Sequence, residues 1–375
     1  MKLKTCLILT AVLALTNPAH AEEIRIGLVS GITGPIAETA AAILKVTQGY
    51  IDQVNAEGGV NGNRLAVVVK DDAYDPGKTA PLVEEAIAKD NVVGFVNSAG
   101  TAPTIAVIKA RILNRYKTPL VGVFSGSEAL RGAGSEEIFH TRPTYGDEVT
   151  KISRQISTMG LKQVAVLYQD DAFGAGILNS VSAGESAFGF KIVSKVAYKA
   201  GSKDFSPQVK SIRESKPQAI FLMGAPDSAY QFMKAYDAPA GAAQIYALSF
   251  VTPKLLADIA GTGKVRGIGI SQVVPNPTST VLPLSKDFQN LMQSQYSKGA
   301  VPSPVALEAY LNVRLLVAAI KMAGPHPTSE KVMQSLTSMR NYQLGGYPID
   351  FSDTKRNGSN YLDIAVVGPM AQLMY

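Results

Sequence analysis

The sequence predicts an α/β fold of two doubly wound lobes, and three observations carry that prediction. Short apolar strand segments alternate with longer helix-like segments along most of the 375 residues. The alternation starts afresh near Tyr145. A proline-rich stretch, "VVPNPTSTVLP" at residues 273–283, then interrupts it after the second run of strands. A chain of this length is also long for a single core, which favours two lobes.

The elements follow in order. Ile24, Ile26 and Leu28 alternate in a first strand, Ile24–Ser30. It ends in Ser30-Gly31-Ile32-Thr33-Gly34-Pro35, a loop of small and hydroxyl residues ahead of a helix over Glu38–Ala56. Strands are predicted next at Leu65–Asp71, Val92–Ser98 and Leu120–Ser125, with helices at Lys78–Lys89 and Ala102–Tyr116. The second unit opens on a helix, Asp147–Met159. Its strands are Val164–Gln169, Ile192–Tyr198, Ala219–Gly224, Ile245–Phe250 and Gly267–Val274, and a final strand is Leu362–Val367. Most of these are continuous apolar runs, as parallel strands covered on both faces require. The helices after Val281, including Val305–Met322, are expected to return to the first lobe and the last strand to the second. That gives a three-segment hinge. The resulting division is 1–21 as a leader, 22–143 plus 273–350 as lobe 1, and 144–272 plus 351–375 as lobe 2.

The leader reads "MKLKTCLILTAVLALTNPAHA". Lys2 and Lys4 precede an apolar run, Leu7–Leu15, and Ala19-His20-Ala21 supplies a small-x-small cleavage site. The run is too short to span a membrane, so export with cleavage after Ala21 is expected. The single cysteine, Cys6, falls inside this leader. The mature chain is then expected to have no disulfide, no thiol nucleophile and no Cys-ligated metal. Removing Lys2 and Lys4 from the net +6 leaves +4, spread without a basic run. Nucleic acid is therefore not expected as a partner.

Motifs for chemistry are sparse. No phosphate-binding glycine loop is present, and "GTGKVRG" lacks both the spacing and the hydroxyl after Lys264. In "GVFSGS" the glycine is three residues before Ser125, so the nucleophile-elbow pattern fails. The mature chain holds only His140 and His326, with no context for a hydrolase triad. In "DDAYDPGK", Asp75 ahead of Pro76 fits a helix cap better than a metal loop. No catalytic residue, metal or cofactor is expected.

Two loops stand out. "NSAGTAPT", Asn97–Thr104, ends a buried strand and enters a helix. There Ser98, Gly100 and Thr101 offer hydroxyls and backbone N–H groups suited to a carboxylate. "VFSGSEAL", Val123–Leu130, repeats this one strand later with Ser125, Gly126 and Ser127. Two such loops on adjacent strand ends lie where α/β sheets bind ligands.

With these residues in view, the chain resembles the type I periplasmic solute-binding proteins, in particular the leucine/isoleucine/valine-binding family of ABC importers. The resemblance covers Glu22–Tyr375. It is carried by "IRIGLVSGITGP", "VNAEGGVNGNRL", "DDAYDP", "SAGTAPT", "DDAFGAG", "KDFSPQVKSI", "ALEAYLNVRLLVAAI" and "GGYPIDFS". It implies two Rossmann-like lobes that close over a small carboxylate-bearing solute, a branched-chain amino acid by family. It further implies a monomer in the periplasm that docks on ABC permease subunits in the inner membrane.

By the same resemblance the ligand carboxylate meets Ser98, Ala99, Gly100 and Thr101, together with Phe124, Ser125, Gly126 and Ser127. The second lobe supplies Tyr145, Phe173, Ala225, Ser249 and Phe250, and Ser30–Pro35 becomes a rim leading to Glu38 and Thr39. One position departs from the pattern. Amino-acid members usually carry an acidic residue where Ser249 stands, and often a tyrosine where Ala225 stands. Asp147, Asp171 or Glu38 are the candidates to replace the missing charge. Otherwise a carboxylate without an amine, such as an aromatic or 2-oxo acid, becomes the alternative ligand. A periplasmic ligand sensor is a further alternative, and a secreted hydrolase has the least support.

Overall fold

The computed structural model describes residues 22–237 and 242–375, so the leader and its cleavage point lie outside the described residues. Strands β1 (Glu23–Ser30), β2 (Arg64–Asp71), β3 (Phe95–Val96), β4 (Leu120–Val121) and β5 (Ile138–Phe139) form a parallel sheet in the order β2-β1-β3-β4-β5. Helices α1 (Ala37–Ala56), α2 (Pro76–Ala88), α3 (Thr101–Lys109) and α4 (Ile112–Tyr116) supply its crossovers. Strand β1 buries Ile24, Ile26, Leu28 and Val29, because parallel strands are covered on both faces. Asp75 caps α2 by accepting the Gly77 N–H at 2.8 Å, with Pro76 as the first helical residue.

The chain then enters α5 (Tyr145–Thr158) and the second sheet. Its parallel part is β6 (Gln163–Gln169), β7 (Lys191–Tyr198), β8 (Ala219–Met223), β9 (Gln244–Ala247) and β10 (Gly269–Gln272), interleaved with α6 (Ala172–Phe188), α7 (Ser206–Glu214), α8 (Pro226–Ala235), α9 (Pro253–Ala260) and α10 (Thr262–Val265). After α11 (Pro283–Gln293), α12 (Pro304–Met322), α13 (Ser329–Thr337) and a small hairpin, β11 (Tyr342–Leu344) and β12 (Tyr347–Ile349), come β13 (Asp363–Val367) and β14 (Leu373–Met374). The second sheet has the order β14-β13-β10-β9-β8-β6-β7, with β13 antiparallel to β10. Each sheet runs outward in both directions from an early strand, so each has a switch point where a crevice opens at the strand ends.

Helix α12 packs on α1, α11 and α13 and against β3 and β4. It is buried nearly all round, so its central Asn312 must find partners inside the protein. Asn312 donates to Asn97 at 2.9 Å and accepts from Thr141 at 2.5 Å, while Asn97 donates to the Ala309 carbonyl at 3.1 Å.

The structure differs from the sequence expectation in several places, among them the strands expected over Val92–Ser98 and Leu120–Ser125, which reduce to Phe95–Val96 and Leu120–Val121. The predicted helix Ala102–Tyr116 is two helices, because Arg111 turns left-handed at φ 53°. The turn carries Ile112 and Leu113 into the core shared with Val83 and Val107. Strand β5 is too short to show a period, and the hairpin β11–β12 is not distinguished from loop by apolar pattern.

Candidate functional site

A small cavity of about 40 Å³ lies between the facing ends of the two sheets, room for only about two or three water molecules, so a larger solute needs the walls to part. Its first-lobe wall is built by the loops after β3 and β4. The loops are tied together: Phe124 donates its N–H to the Ser98 carbonyl at 2.8 Å, and Gly100 donates to the Phe124 carbonyl at 3.4 Å. Gly100 sits at φ 109°, and a Cβ there would lie 2.6 Å from the Tyr74 ring. The missing side chain is what lets Tyr74 lie against the loop. Thr101 is the first residue of α3, and its hydroxyl is 2.8 Å from the Ser125 hydroxyl. The first-turn N–H groups of α3 have no partner within the helix. A buried hydroxyl pair beside a helix N-terminus is suited to an anion.

The second-lobe wall is aromatic. Tyr145 opens α5, Phe173 lies in the first turn of α6, and Phe250 follows β9. The Tyr145 ring meets Phe173 edge-on at 5.3 Å and Phe250 at 6.0 Å. Asp171 holds the start of α6 by accepting the Phe173 and Gly174 N–H groups at 2.9 and 3.1 Å. Tyr145 fits against Gly126, whose carbonyl accepts the Tyr145 N–H at 2.7 Å. A Cβ on Gly126 would lie 2.8 Å from the Tyr145 ring. Burial pushes the Tyr145 hydroxyl up to about 12, against the pull of Arg142 and of Ser125. Burial, and then the charge of Asp171, raise the Tyr74 hydroxyl as well.

Behind this wall lies a buried charge cluster that the sequence reading missed. Arg142 is fully buried, 3.1 Å from Glu148 on α5 and 3.5 Å from Glu308 on α12. Its guanidinium carbon is 4.1 Å from the centre of the Phe250 ring. Glu148 also accepts the Ser249 N–H at 3.1 Å and the Ser271 hydroxyl at 2.5 Å. Burial raises Glu308 to about 7, with Arg142 only partly opposing it. The cluster ties helices packed on both sheets to the segment that joins them.

Of the residues expected to meet a ligand, Thr39, Ala99, Gly100, Thr101, Phe124, Tyr145, Phe173, Ala225 and Phe250 line the cavity. The others lie elsewhere. Ser98 lines a separate small cavity with Val29, Phe95 and Pro103, on the core side of its loop. Ser125 and Gly126 support the wall from behind, through the contacts above. Ser127 accepts the Ala129 N–H at 3.3 Å, capping a short 3₁₀ turn. Ser249 is drawn back into the charge cluster, where its hydroxyl accepts from Arg142. Ile36, Tyr74 and Pro226 complete the wall and were not anticipated. Tyr74 was hidden because two successive left-handed residues, Ala73 and Tyr74 at φ 52° and 63°, swing it inward from a stretch that reads as a helix cap. Among the described residues there is no group of three His, Cys, Asp or Glu arranged to hold a metal. No helix among them is long and apolar enough to cross a membrane.

Comparison with known proteins gives a consistent picture. The profile of a periplasmic binding protein family matches residues 23–369. The Leu/Ile/Val-binding protein homolog 3 of Brucella melitensis biotype 1 is 22% identical over 97% of this chain and 96% of its own length. The Leu/Ile/Val/Thr-binding protein of Salmonella typhimurium is 25% identical over 60% of this chain, and the match spans 61% of that relative. A substrate-binding periplasmic protein from Ralstonia solanacearum, known from its crystal structure, superposes with a TM-score of 0.87. It is 31% identical, covering 92% of this chain and 98% of that one.

Proposed function

The chain belongs to the periplasmic binding protein family, and from that premise we propose that it is the solute-binding component of an ABC importer. It is exported by cleavage after Ala21, works as a monomer in the periplasm, captures a small carboxylate-bearing solute between its lobes, and passes it to membrane permease subunits. The observation that carries this reading is the Thr101–Ser125 hydroxyl pair, 2.8 Å apart at the N-terminus of α3, with Thr101 in the wall of a mainly apolar cavity and Ser125 just behind it. Charge-assisted hydrogen bonds there would fix the head of an acid, and the rings would bury its body at about 25 cal/mol per Å². The residues named for the site are proposed in that role: Thr39, Ala99, Gly100, Thr101, Phe124, Tyr145, Phe173, Ala225 and Phe250 in the wall, and Ser125 just behind it.

No bond is made or broken in this mechanism. The ligand adds contacts that exist only when both walls reach it, so it shifts the population toward the closed form. The names of the relatives put branched-chain amino acids first among the solutes to test. The protein purified from periplasm, sprayed under native conditions, is expected to carry a small acid that leaves chemically unchanged. A bound molecule converted to product would overturn the receptor reading.

A further inference from the structure

We infer that the cavity selects a monocarboxylate with an aromatic body and no ammonium group, an inference that rests on the carboxylate reading above. None of the residues lining the cavity carries a charged side chain. An ammonium enclosed there would lack a counter-charge, which a closed apolar wall penalises heavily.

Three carboxylates around the wall are already engaged. Glu148 is shared among Arg142 and the Ser249 and Ser271 donors. Asp171 is held by its helix cap and by the Gln169 amide at 2.6 Å. Asp147 closes a capping box with Thr144, accepting its N–H at 2.9 Å and its hydroxyl at 2.8 Å, and Glu38 is exposed. Asp227, one residue beyond Pro226 of the wall, leaves one buried oxygen without a partner. It is the group an ammonium would have to reach, but it does not line the cavity.

One ring of the wall is unavailable to a second cation. Phe250 already offers one face to Arg142 at 4.1 Å, so its π-electrons are engaged by a positive charge on the far side. Tyr74, Phe124, Tyr145, Phe173 and Phe250 all line the cavity, and Tyr145 meets Phe173 and Phe250 edge-on, so a solute body admitted between the walls meets rings whose faces and edges favour another aromatic group.

Calorimetric titration of the ligand-free mature protein tests this with phenylpyruvate, 3-phenylpropanoate, phenylalanine, leucine, 4-methyl-2-oxopentanoate and phenethylamine. Phenylpyruvate and 3-phenylpropanoate are expected to bind at least about tenfold more tightly than any of the others. Phenylalanine or leucine binding as tightly as its deaminated partner would overturn the inference and leave the carboxylate reading standing. Binding of 4-methyl-2-oxopentanoate ahead of both phenyl acids would remove the aromatic part. Binding of phenethylamine with none of the acids would overturn the carboxylate reading as well. Silence from all six would overturn the aromatic acid. Asp227→Asn supplies a second arm: phenylalanine binding that this change abolishes would identify Asp227 as the ammonium partner and sink the inference.

Discussion

The guanidinium of Arg142 lies 4.1 Å from the centre of the Phe250 ring, so one side chain of the cavity wall is also a partner of the buried charge cluster behind it. Replacing Phe250 with leucine removes both roles. Stability is expected to fall by about 2 kcal/mol, the size of a desolvated cation–π contact, and ligand affinity should fall with it. Chemical denaturation and titration of the one variant read both effects. A loss of affinity at unchanged stability would show that Arg142 does not depend on the ring.

Ser125 is expected to matter through the hydroxyl it places 2.8 Å from Thr101. Ser125→Ala and Thr101→Val each remove one member of the pair that would grip the carboxylate. The expected cost is about 1.5–3 kcal/mol, or roughly ten- to hundredfold in Kd. Ser127→Ala should do less, since that hydroxyl caps a local turn. Wild-type affinity in the first two variants would place the acid elsewhere in the cavity.

Gly100 is a position where the backbone itself decides the outcome. At φ 109°, with the Tyr74 ring 2.6 Å from any added Cβ, Gly100→Ala is strained in two ways. A loss of about 1–3 kcal/mol is expected, with Tyr74 displaced from the wall. A melting curve matching the wild type would mean that the loop relaxes freely.

Acid should tighten the grip. Asp227, at the start of α8, faces Glu38 of α1 across the cleft; burial, and then the charge of Glu38, raise its carboxyl to about 6. An Asp freed by opening returns to about 3.9. The closed form therefore holds a proton that the open form has lost. Its advantage is complete below the lower value and disappears as the pH rises through about 6. Affinity for an acid that stays ionised is expected to rise about tenfold between pH 7 and pH 5. Asp227→Asn should flatten the profile, and a flat wild-type profile would refute the linkage.

Much of this architecture was legible because the strands announce themselves. Runs such as Ile24–Ser30 and Ala219–Met223 have one physical explanation, burial on both faces. The helix cap at Asp75 was equally local. The wall was legible where a loop leads straight from strand to helix, as at Ala99–Thr101, and at Phe173, which opens a helix. It was not legible at Tyr74, whose direction depends on two left-handed residues. Nor was it legible at Ser98 and Ser249, which the loop geometry turns toward other partners. The cluster of Arg142, Glu148 and Glu308 depends on Glu308, more than a hundred positions away in the chain, and nothing local in "TRPTYGDE" marks its arginine as buried.

The division of the cavity wall between the lobes bears on how such a receptor changes its diet. The proposed grip on the acid head uses one helix start and two adjoining loops of the first sheet. Tyr145, Phe173, Ala225 and Phe250, proposed to face the body of the solute, belong to segments that pack with the second. On that division a lineage can exchange one nutrient for another by drift at a few second-lobe positions, while the half proposed to grip the acid is inherited intact. Grafting those four positions between relatives is the corresponding engineering route to a biosensor of chosen specificity.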